Sequence, residues 1–259
     1  MLQARPYRNR VWISLVAPAL LLVLWQGWSL LGSDNALFAS PLKVWTALLT
    51  VIRRGSLADA LSSSLGRALT GFAIGATIGL GLGILNGLSA ASERLTDTTI
   101  KMVHSVPSLA VVPLFIIWFG IGELSKVLLI AFAISTIVYI SMLQAIRNTD
   151  PRLIEMARTY RLSVSQRIFH VVLPGAMPGI LDGIRYAMSV TWFVLIAAET
   201  IGTDSGIGFM AALARDYLQT GLVFLCVLIY AALGLISDAL IRLLRRYLLR
   251  WNPSSANAF

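Results

Sequence analysis

Long apolar runs separated by short polar segments dominate the chain. Six of these runs are about as long as an α-helix must be to cross the hydrocarbon core of a bilayer, so each is predicted to be a transmembrane helix. The runs are Val11–Leu31, Ala68–Leu88, Met102–Phe119, Val127–Ile146, Ile184–Ile201 and Leu222–Ile241.

The polar segment Arg147–Pro174 lies between two of these runs and carries signals for two short helices. Asp150 followed by Pro151 predicts a capped helix start, and Ser163 with Gln166 three residues later predicts a capping box. A loop that only connects two spans needs no helices. We therefore expect this helix–turn–helix to be displayed in water for binding by another protein.

Composition supports a polytopic membrane protein, because 57% of the residues are hydrophobic and 13% are charged, against about 25% charged residues in a soluble domain. The net charge of +9 is better explained by topology than by nucleic-acid binding. With the N-terminus inside, the inner segments carry 14 lysine and arginine residues and the outer segments six. This asymmetry predicts that both termini and the polar segment face the cytoplasm.

Glycine recurs every four residues along the second predicted span, at Gly71, Gly75, Gly79, Gly83 and Gly87. Four residues at ~100° each make slightly more than one turn, so these positions form one stripe. A stripe without side chains lets another helix approach closely, and we expect helix packing there. The alternative is the ordinary glycine content of membrane helices.

Two prolines, Pro107 and Pro113, lie within the third predicted span. A proline inside a helix frees backbone carbonyls that lipid cannot satisfy, so such breaks face protein or a water-filled cavity. The span is therefore a candidate liner of a transport pathway, and a purely structural kink is the alternative.

Charged residues mark both ends of the fifth span. Glu199, near its outer end, is a lone carboxylate that costs about 2.5–3.5 kcal/mol to insert, so it should face a partner or water as a gate or packing residue. Asp182 and Arg185, near the inner end, are three residues apart and are predicted to pair. Asp238 is predicted to lie at the cytoplasmic edge.

Missing motifs exclude several kinds of chemistry. None of the three lysines follows a glycine, so the chain has no P-loop for ATP. His104 and His170 lack a metal-ligand pattern, no serine lies in a nucleophile elbow, and the single cysteine, Cys226, lies in an apolar run. The sequence therefore predicts neither an enzyme nor a metal or cofactor site on this chain.

The polar segment resembles the signature loop of binding-protein-dependent ABC importer permeases with the type I (MetI-like) transmembrane domain. That loop runs Glu-Ala-Ala, three residues, Gly, nine residues, Ile-x-Leu-Pro. Its counterparts here are Glu155, Met156 and Ala157 at the opening, Arg161 at the glycine position, and Val171, Leu173 and Pro174 at the close. The stretches SLGRALTGFAIGATIGLGLGILNGLS, VPSLAVVPLFIIWFGIGELSKV, AAETIGTDSGIG and LLRWNP are similar to the sulfonate, nitrate and taurine branch, and most of all to alkanesulfonate permeases.

The resemblance implies an all-α MetI-like five-helix core preceded by an extra N-terminal transmembrane helix. The implied regions are 1–33 (cytoplasmic N-terminus and first span), 34–56 (periplasmic amphipathic loop), 57–245 (permease domain, with the coupling loop at 150–174) and 246–259 (cytoplasmic tail). The implied partners are ABC ATPase subunits holding ATP and magnesium, a periplasmic solute-binding protein, a second copy of the chain, and the lipids of a bacterial inner membrane.

The implied function is that of a permease subunit in an ATP-driven importer, for aliphatic sulfonates or else for taurine, nitrate or another small solute. Coupling to the ATPase is implied for Glu155, Met156, Ala157, Tyr160, Arg161, Leu173 and Pro174. Leu153, Met156 and Tyr160 follow at three- and four-residue steps and would form an apolar docking face. Arg161 is expected to alter the turn, because a left-handed backbone costs a non-glycine residue ~1 kcal/mol. The alternative is an ion-coupled secondary transporter that works alone, with Glu199 or Asp182 as its proton site.

Overall fold

The computed structural model describes residues 10–31, 39–201 and 203–251, and every regular element within these ranges is helical. Four helices are long and apolar enough to cross a membrane: Ser56–Leu88, Glu123–Arg147, Val164–Thr200 and Thr220–Leu248. The predicted all-helical class is confirmed, whereas the count of six spans is not. In chain order the helices are α1 (Arg10–Leu31), α2 (Pro41–Arg53), α3 (Ser56–Leu88), α4 (Ala90–His104), α5 (Val112–Phe119), α6 (Glu123–Arg147), α7 (Pro151–Thr159), α8 (Val164–Arg167), α9 (Leu173–Thr200), α10 (Ile207–Asp216) and α11 (Thr220–Leu248).

Helix α6 is the most buried of the four long helices, and α3 packs along it through the glycine stripe. A Cβ atom added at Gly75 would lie 2.6 Å from the carbonyl oxygen of Ala131, and one at Gly79 would lie 2.5 Å from that of Ser135. The other three glycines of the stripe also face α6. Two helices approach this closely only where side chains are missing, so the glycines make this contact possible.

A second row of glycines, which the sequence analysis did not identify, lies at the start of α9 and packs on a neighbouring face of α6. Gly175 and Gly179 face Thr149 and Ala145, and a Cβ atom at Gly179 would lie 2.9 Å from that of Ala145. Gly183 faces Ser141 one turn further on. Helices α3, α6 and α9 therefore form a core in which backbones nearly touch.

The third predicted span, Met102–Phe119, is not one helix. Helix α4 ends at His104 and α5 begins at Val112, so Pro107 lies in the connecting turn and Pro113 in the first turn of α5, where a missing N–H costs nothing. Helix α5 has eight residues, or about 12 Å, and is too short to cross a bilayer. The prediction of a continuous helix broken by prolines is therefore wrong, because the prolines lie between helices and at a helix start.

One continuous helix of 37 residues is formed by α8, a π-helical turn at Ile168–Val172, and α9. Pro174 explains the π turn, because it has no N–H to donate to the carbonyl of His170 and its ring crowds that carbonyl. The neighbouring N–H of Leu173 donates five residues back to Ile168 instead. This long helix carries the α7–α8 hairpin at one end and Glu199 near the other.

The predicted loop 34–56 contains helix α2. The Lys43 N–H donates to the Ser40 hydroxyl at 3.2 Å, and Pro41 is the first helical residue. Helix α2 packs through Val44 and Val51 on the first turns of α11. The first residues of the predicted tail 246–259 still belong to α11, and residues 1–9, 32–38 and 252–259 of the predicted regions lie outside the described ranges.

Candidate functional site

Both predicted caps of the α7–α8 hairpin are present. The Arg152 N–H donates to Oδ1 of Asp150 at 2.9 Å, and Pro151 is the first residue of α7. The Gln166 N–H donates to the Ser163 hydroxyl at 3.3 Å, while the Ser163 N–H donates to the Gln166 side chain at 2.9 Å. These bonds satisfy backbone donors that a helix start leaves free, so local sequence specifies the hairpin.

Arg161, at the glycine position of the signature loop, has a left-handed backbone with φ 54°. Its N–H donates to the Arg158 carbonyl at 2.9 Å, and the Leu162 N–H donates to the Ala157 carbonyl at 3.1 Å. This is the bonding of a Schellman helix end, whose turn residue is left-handed and usually glycine. The expected change in the turn does not occur: the turn keeps the geometry that glycine favours, and the arginine carries a steric cost of ~1 kcal/mol.

Helix α7 presents apolar side chains to solvent. Leu153, Met156 and Tyr160 are 40%, 49% and 75% exposed, whereas Ala157 beside them is buried. An exposed apolar patch of this kind marks a site of interaction with another molecule. The three residues are those predicted to form the docking face, and their docking role stays a prediction.

The remaining residues implied in coupling lie on α7 and at the start of α9. Glu155 is exposed, while Leu173 and Pro174 are half-buried where the π turn continues into α9. Helix α7 packs against this π turn. Helix α7 is therefore in direct contact with the long α8–α9 helix, and the coupling role of these residues stays a prediction.

A cluster of charged residues lies at the other end of the bundle, formed by Arg67, Glu123, Lys126 and Glu199 (the charge cluster). Arg67 of α3 is only 3% exposed, and its Nε and Nη2 atoms donate to the two carboxylate oxygens of Glu123 at 2.6 and 2.7 Å. Its Nη1 atom donates to Glu199 at 2.6 Å and to the Ser205 carbonyl at 2.8 Å. The planar guanidinium suits such two-pronged contacts with carboxylates.

Donors surround both carboxylate oxygens of Glu199, which is 1% exposed. Oε1 accepts from Arg67 at 2.6 Å and from the Ser64 hydroxyl at 2.8 Å. Oε2 accepts from the Gly208 N–H at 2.9 Å and from the Tyr230 hydroxyl at 3.0 Å. Because the Gly208 N–H belongs to the first turn of α10, the dipole of that helix also favours the carboxylate. Glu199 thus joins α9 to α3, α10 and α11.

The charge cluster is neutral as a whole, since it contains two cations and two carboxylates. The predicted need of Glu199 for a partner is met by Arg67, which is 132 residues away in the sequence. Four protein donors bond to its carboxylate, which matches the capacity of its two oxygens and leaves none for a solute. Glu199 thus links α9 to three other helices by hydrogen bonds, and its role as a gate stays a prediction.

The predicted pair between Asp182 and Arg185 does not form. Asp182 accepts from Arg245 of α11 at 2.5 Å. Arg185 donates to Asp238 of α11, which also pairs with Arg242. Residues three apart on one helix gain only ~0.2–0.5 kcal/mol by pairing, and the neighbouring helix supplies the partners instead.

A second polar network, which the sequence analysis missed, joins α3, α4 and α6 near the hairpin end. Asn86 donates to the hydroxyls of Tyr139 and Thr96, both at 2.7 Å, and Tyr139 donates to Asp97 at 2.8 Å. The Lys101 ammonium, 2.6 Å from Asp97, holds the pKa of that carboxyl below its usual value. An asparagine at the end of an apolar run was the available signal, but it did not identify the partners.

Each histidine contacts a nearby polar group, and the cysteine is buried. Nδ1 of His104 lies 3.1 Å from the Thr136 hydroxyl, and Nδ1 of His170 lies 3.2 Å from the Gln166 carbonyl. Cys226 is buried. Across the described residues, no three potential ligands come together in a way that could hold a metal ion.

A cavity of about 830 Å³ opens beside the charge cluster. Its walls come from α2, α10 and the first turns of α3 and α11, and Ser205 belongs both to the wall and to the contacts of Arg67. Charges of both signs line it, with Lys43 and Arg54 against Asp59 and Asp204. The volume is that of a pocket for a small molecule.

The fold is thus a bundle of membrane-length helices that displays a capped hairpin at one end. Residues 75–250 match the family described as binding-protein-dependent transport system inner membrane component, and the chain belongs to this family. Its members are permease subunits of ABC importers, in which a separate chain hydrolyses ATP. The chain is therefore a transport subunit and not an enzyme, as predicted, and membership implies ATPase and binding-protein partners. Family membership excludes the alternative of an ion-coupled secondary transporter that works alone.

Individual relatives indicate which permeases within this family the chain resembles. The chain is 45% identical over 248 residues to the aliphatic sulfonates transport permease protein SsuC of Escherichia coli (strain K12), with 94% of each chain covered. It is 34% identical over 253 residues to the taurine transport system permease protein TauC of the same strain, covering 95% of this chain and 92% of that one. A solved amino acid ABC transporter with histidines has the same fold, with a TM-score of 0.66 and 18% identity over 77% of this chain and 97% of that chain.

Proposed function

We propose that the chain is the permease subunit of an importer for aliphatic sulfonates in a bacterial inner membrane, with both termini in the cytoplasm. The observation that carries the substrate class is the higher identity to the aliphatic sulfonates permease than to the taurine permease. The prevalence of arginine in the hairpin and in the last turns of α11 supports the orientation.

In this proposal two copies of the chain enclose the transport path. Each copy inserts Leu153, Met156 and Tyr160 into a cleft on an ATPase subunit, and that subunit holds the ATP and the magnesium ion. The exposure of these three side chains supports the assignment, because apolar groups held in water by a well-capped helix are stabilised when a partner covers them.

The long α8–α9 helix supplies the mechanical link. Its 37 residues span about 55 Å, from the hairpin to the charge cluster. When ATP binding closes the ATPase subunits, α7 moves with them and pushes on the π turn. The displacement reaches Glu199, whose bonds to Arg67, Gly208 and Tyr230 pull on α3, α10 and α11. Closely packed helices transmit such shifts because they deform little.

Reconstitution tests this function. The chain, its ATPase and its binding protein are placed in proteoliposomes, and uptake of a labelled alkanesulfonate is measured with taurine and nitrate as competitors. We expect uptake that requires ATP and the binding protein and that only alkanesulfonates suppress. Uptake driven by a proton gradient without the ATPase would contradict the importer. ATP-driven uptake of taurine or nitrate in place of alkanesulfonates would contradict the substrate class alone.

A further inference from the structure

Helix α2 has three distinct faces. At ~100° per residue, Leu42, Trp45, Leu49 and Ile52 fall within one sector of about 80°. These four side chains are 37–70% exposed, although all are large and apolar. The cavity-lining residues of α2 occupy a different side of the helix and include Thr46 and Thr50. The third side carries the buried Val44 and Val51.

The charge of α2 has one sign. The segment Pro41–Arg54 contains Lys43, Arg53 and Arg54 and no acidic residue. Arg53 lies next to the apolar sector on the helical circumference, at about 20–100° from its members. An apolar stripe with a tryptophan in it and a basic residue at its border is typical of a helix that lies in a membrane interface.

The place of α2 in the fold matches this pattern. Its backbone crosses the start of α11, where a Cβ atom added at Gly221 would lie 3.0 Å from the carbonyl oxygen of Lys43. Helix α11 has 29 residues, or about 43 Å, so its first turns extend to the end of the hydrocarbon core. Further along α11, Val227, Leu228 and Leu235 are exposed and apolar, as a lipid-facing surface must be. Helix α2 packs on the first turns of α11, so its exposed stripe lies at this end of the bundle.

We propose that α2 is an in-plane helix seated in the phospholipid bilayer. Its stripe Leu42, Trp45, Leu49 and Ile52 enters the acyl-chain boundary, and Arg53, which borders the stripe, contacts an anionic phosphate group. The occupant of this face is lipid, and the opposite face stays in water as a wall of the cavity. The proposal goes beyond the import function. The orientation proposed above puts α2 in the outer leaflet, and only this choice of leaflet rests on that orientation.

Spin labelling separates the two faces. In a Cys226→Ala background, which removes the single cysteine, Ile52→Cys and Thr50→Cys each receive a nitroxide label, and the two positions are about 160° apart on the helix. The full chain with its ATPase is placed in nanodiscs of phosphatidylethanolamine and phosphatidylglycerol. We expect oxygen, which concentrates in lipid, to relax the Ile52 label severalfold more than a water-soluble nickel chelate does. The Thr50 label should show the reverse order.

Other results overturn the proposal. Equal access of the nickel chelate to both labels would mean that the stripe faces water. Protection of the Ile52 label from both reagents with strong spin–spin coupling would mean that a second copy covers it, and protection only after addition of the binding protein would identify that protein as the occupant. A membrane-impermeant thiol reagent applied from each side tests the leaflet, so a wrong orientation is distinguishable from a wrong partner.

A measurement without introduced cysteines guards against misfolded variants. The fluorescence of the chain in vesicles containing brominated phospholipid is compared with that of Trp45→Phe. We expect the difference between the two signals, which belongs to Trp45, to be strongly quenched. An unquenched Trp45 signal in a chain that retains ATP-dependent uptake would refute the seating in lipid.

Discussion

Replacement of Arg67 by methionine tests whether the charge cluster ties the helices together. The variant Arg67→Met keeps a long apolar stem but removes the cation that donates to Glu199 at 2.6 Å. Glu123 is 65% exposed at its side chain, so water can solvate it when its partner is lost. Glu199 is fully buried and cannot be solvated, and leaving a buried charge without its partner costs about 3–5 kcal/mol.

The size of the stability loss depends on Glu199, the carboxylate that stays buried without its cation. A loss of this size lowers the melting temperature by roughly 6–20 °C, at about 2–4 °C per kcal/mol for a chain of this length. Glu199→Gln removes the negative charge and keeps the volume of the side chain. The double variant Arg67→Met/Glu199→Gln therefore has no unpaired buried charge at position 199. We expect the double variant to lose at least ~1 kcal/mol less than the sum of the two single losses.

Thermal unfolding of the purified complex, followed by size-exclusion chromatography, provides the measurement. Arg215→Met is the matched control, since Arg215 pairs with Asp216 at the surface and such exposed pairs contribute about 0–1 kcal/mol. Additive losses in the double variant, or an Arg67→Met loss no larger than that of Arg215→Met, would refute the reasoning.

Three further predictions concern the core and the hairpin. Gly79→Ala places a Cβ atom against the backbone of α6 and should destabilise the bundle by ~1–3 kcal/mol. Its control, Gly81→Ala, has open space around it and should be neutral or stabilising. Equal melting temperatures of the two variants would contradict this prediction. Arg161→Gly should relieve up to ~1 kcal/mol of backbone strain and slow amide hydrogen exchange in the hairpin, and faster exchange would be the opposite result. Glu155→Lys should abolish uptake while membrane levels, checked by immunoblot, stay at those of the wild type; normal uptake would exclude a coupling role for Glu155.

Features set by short-range rules could be predicted from the sequence. The caps at Asp150 and Ser163 depend on residues within one turn, and each occurs as predicted. The glycine stripe is periodic, and a period identifies a helix face without identifying its partner. The partner, α6, follows only from the packing of the whole bundle.

Features set by distant residues could not be predicted. Averaged hydropathy over Met102–Phe119 concealed the break between α4 and α5, because most of the residues between these helices are themselves apolar. The second row of glycines was missed because it precedes Ile184, the predicted start of that span. The Arg67–Glu199 pair joins residues 132 positions apart, and no local pattern encodes such a pairing.

The glycine rows of α3 and α9, which both face α6, have a consequence for movement. Side chains of α6 such as Ile134 and Val138 occupy the space beside Gly75 and Gly79 of α3, where a side chain is missing. The next matching position along α3 is four residues, or about 6 Å, away, and any smaller slide drives a larger side chain into the facing backbone. These contacts oppose small sliding shifts, so we expect α3, α6 and α9 to move as one unit and the surrounding helices to rearrange.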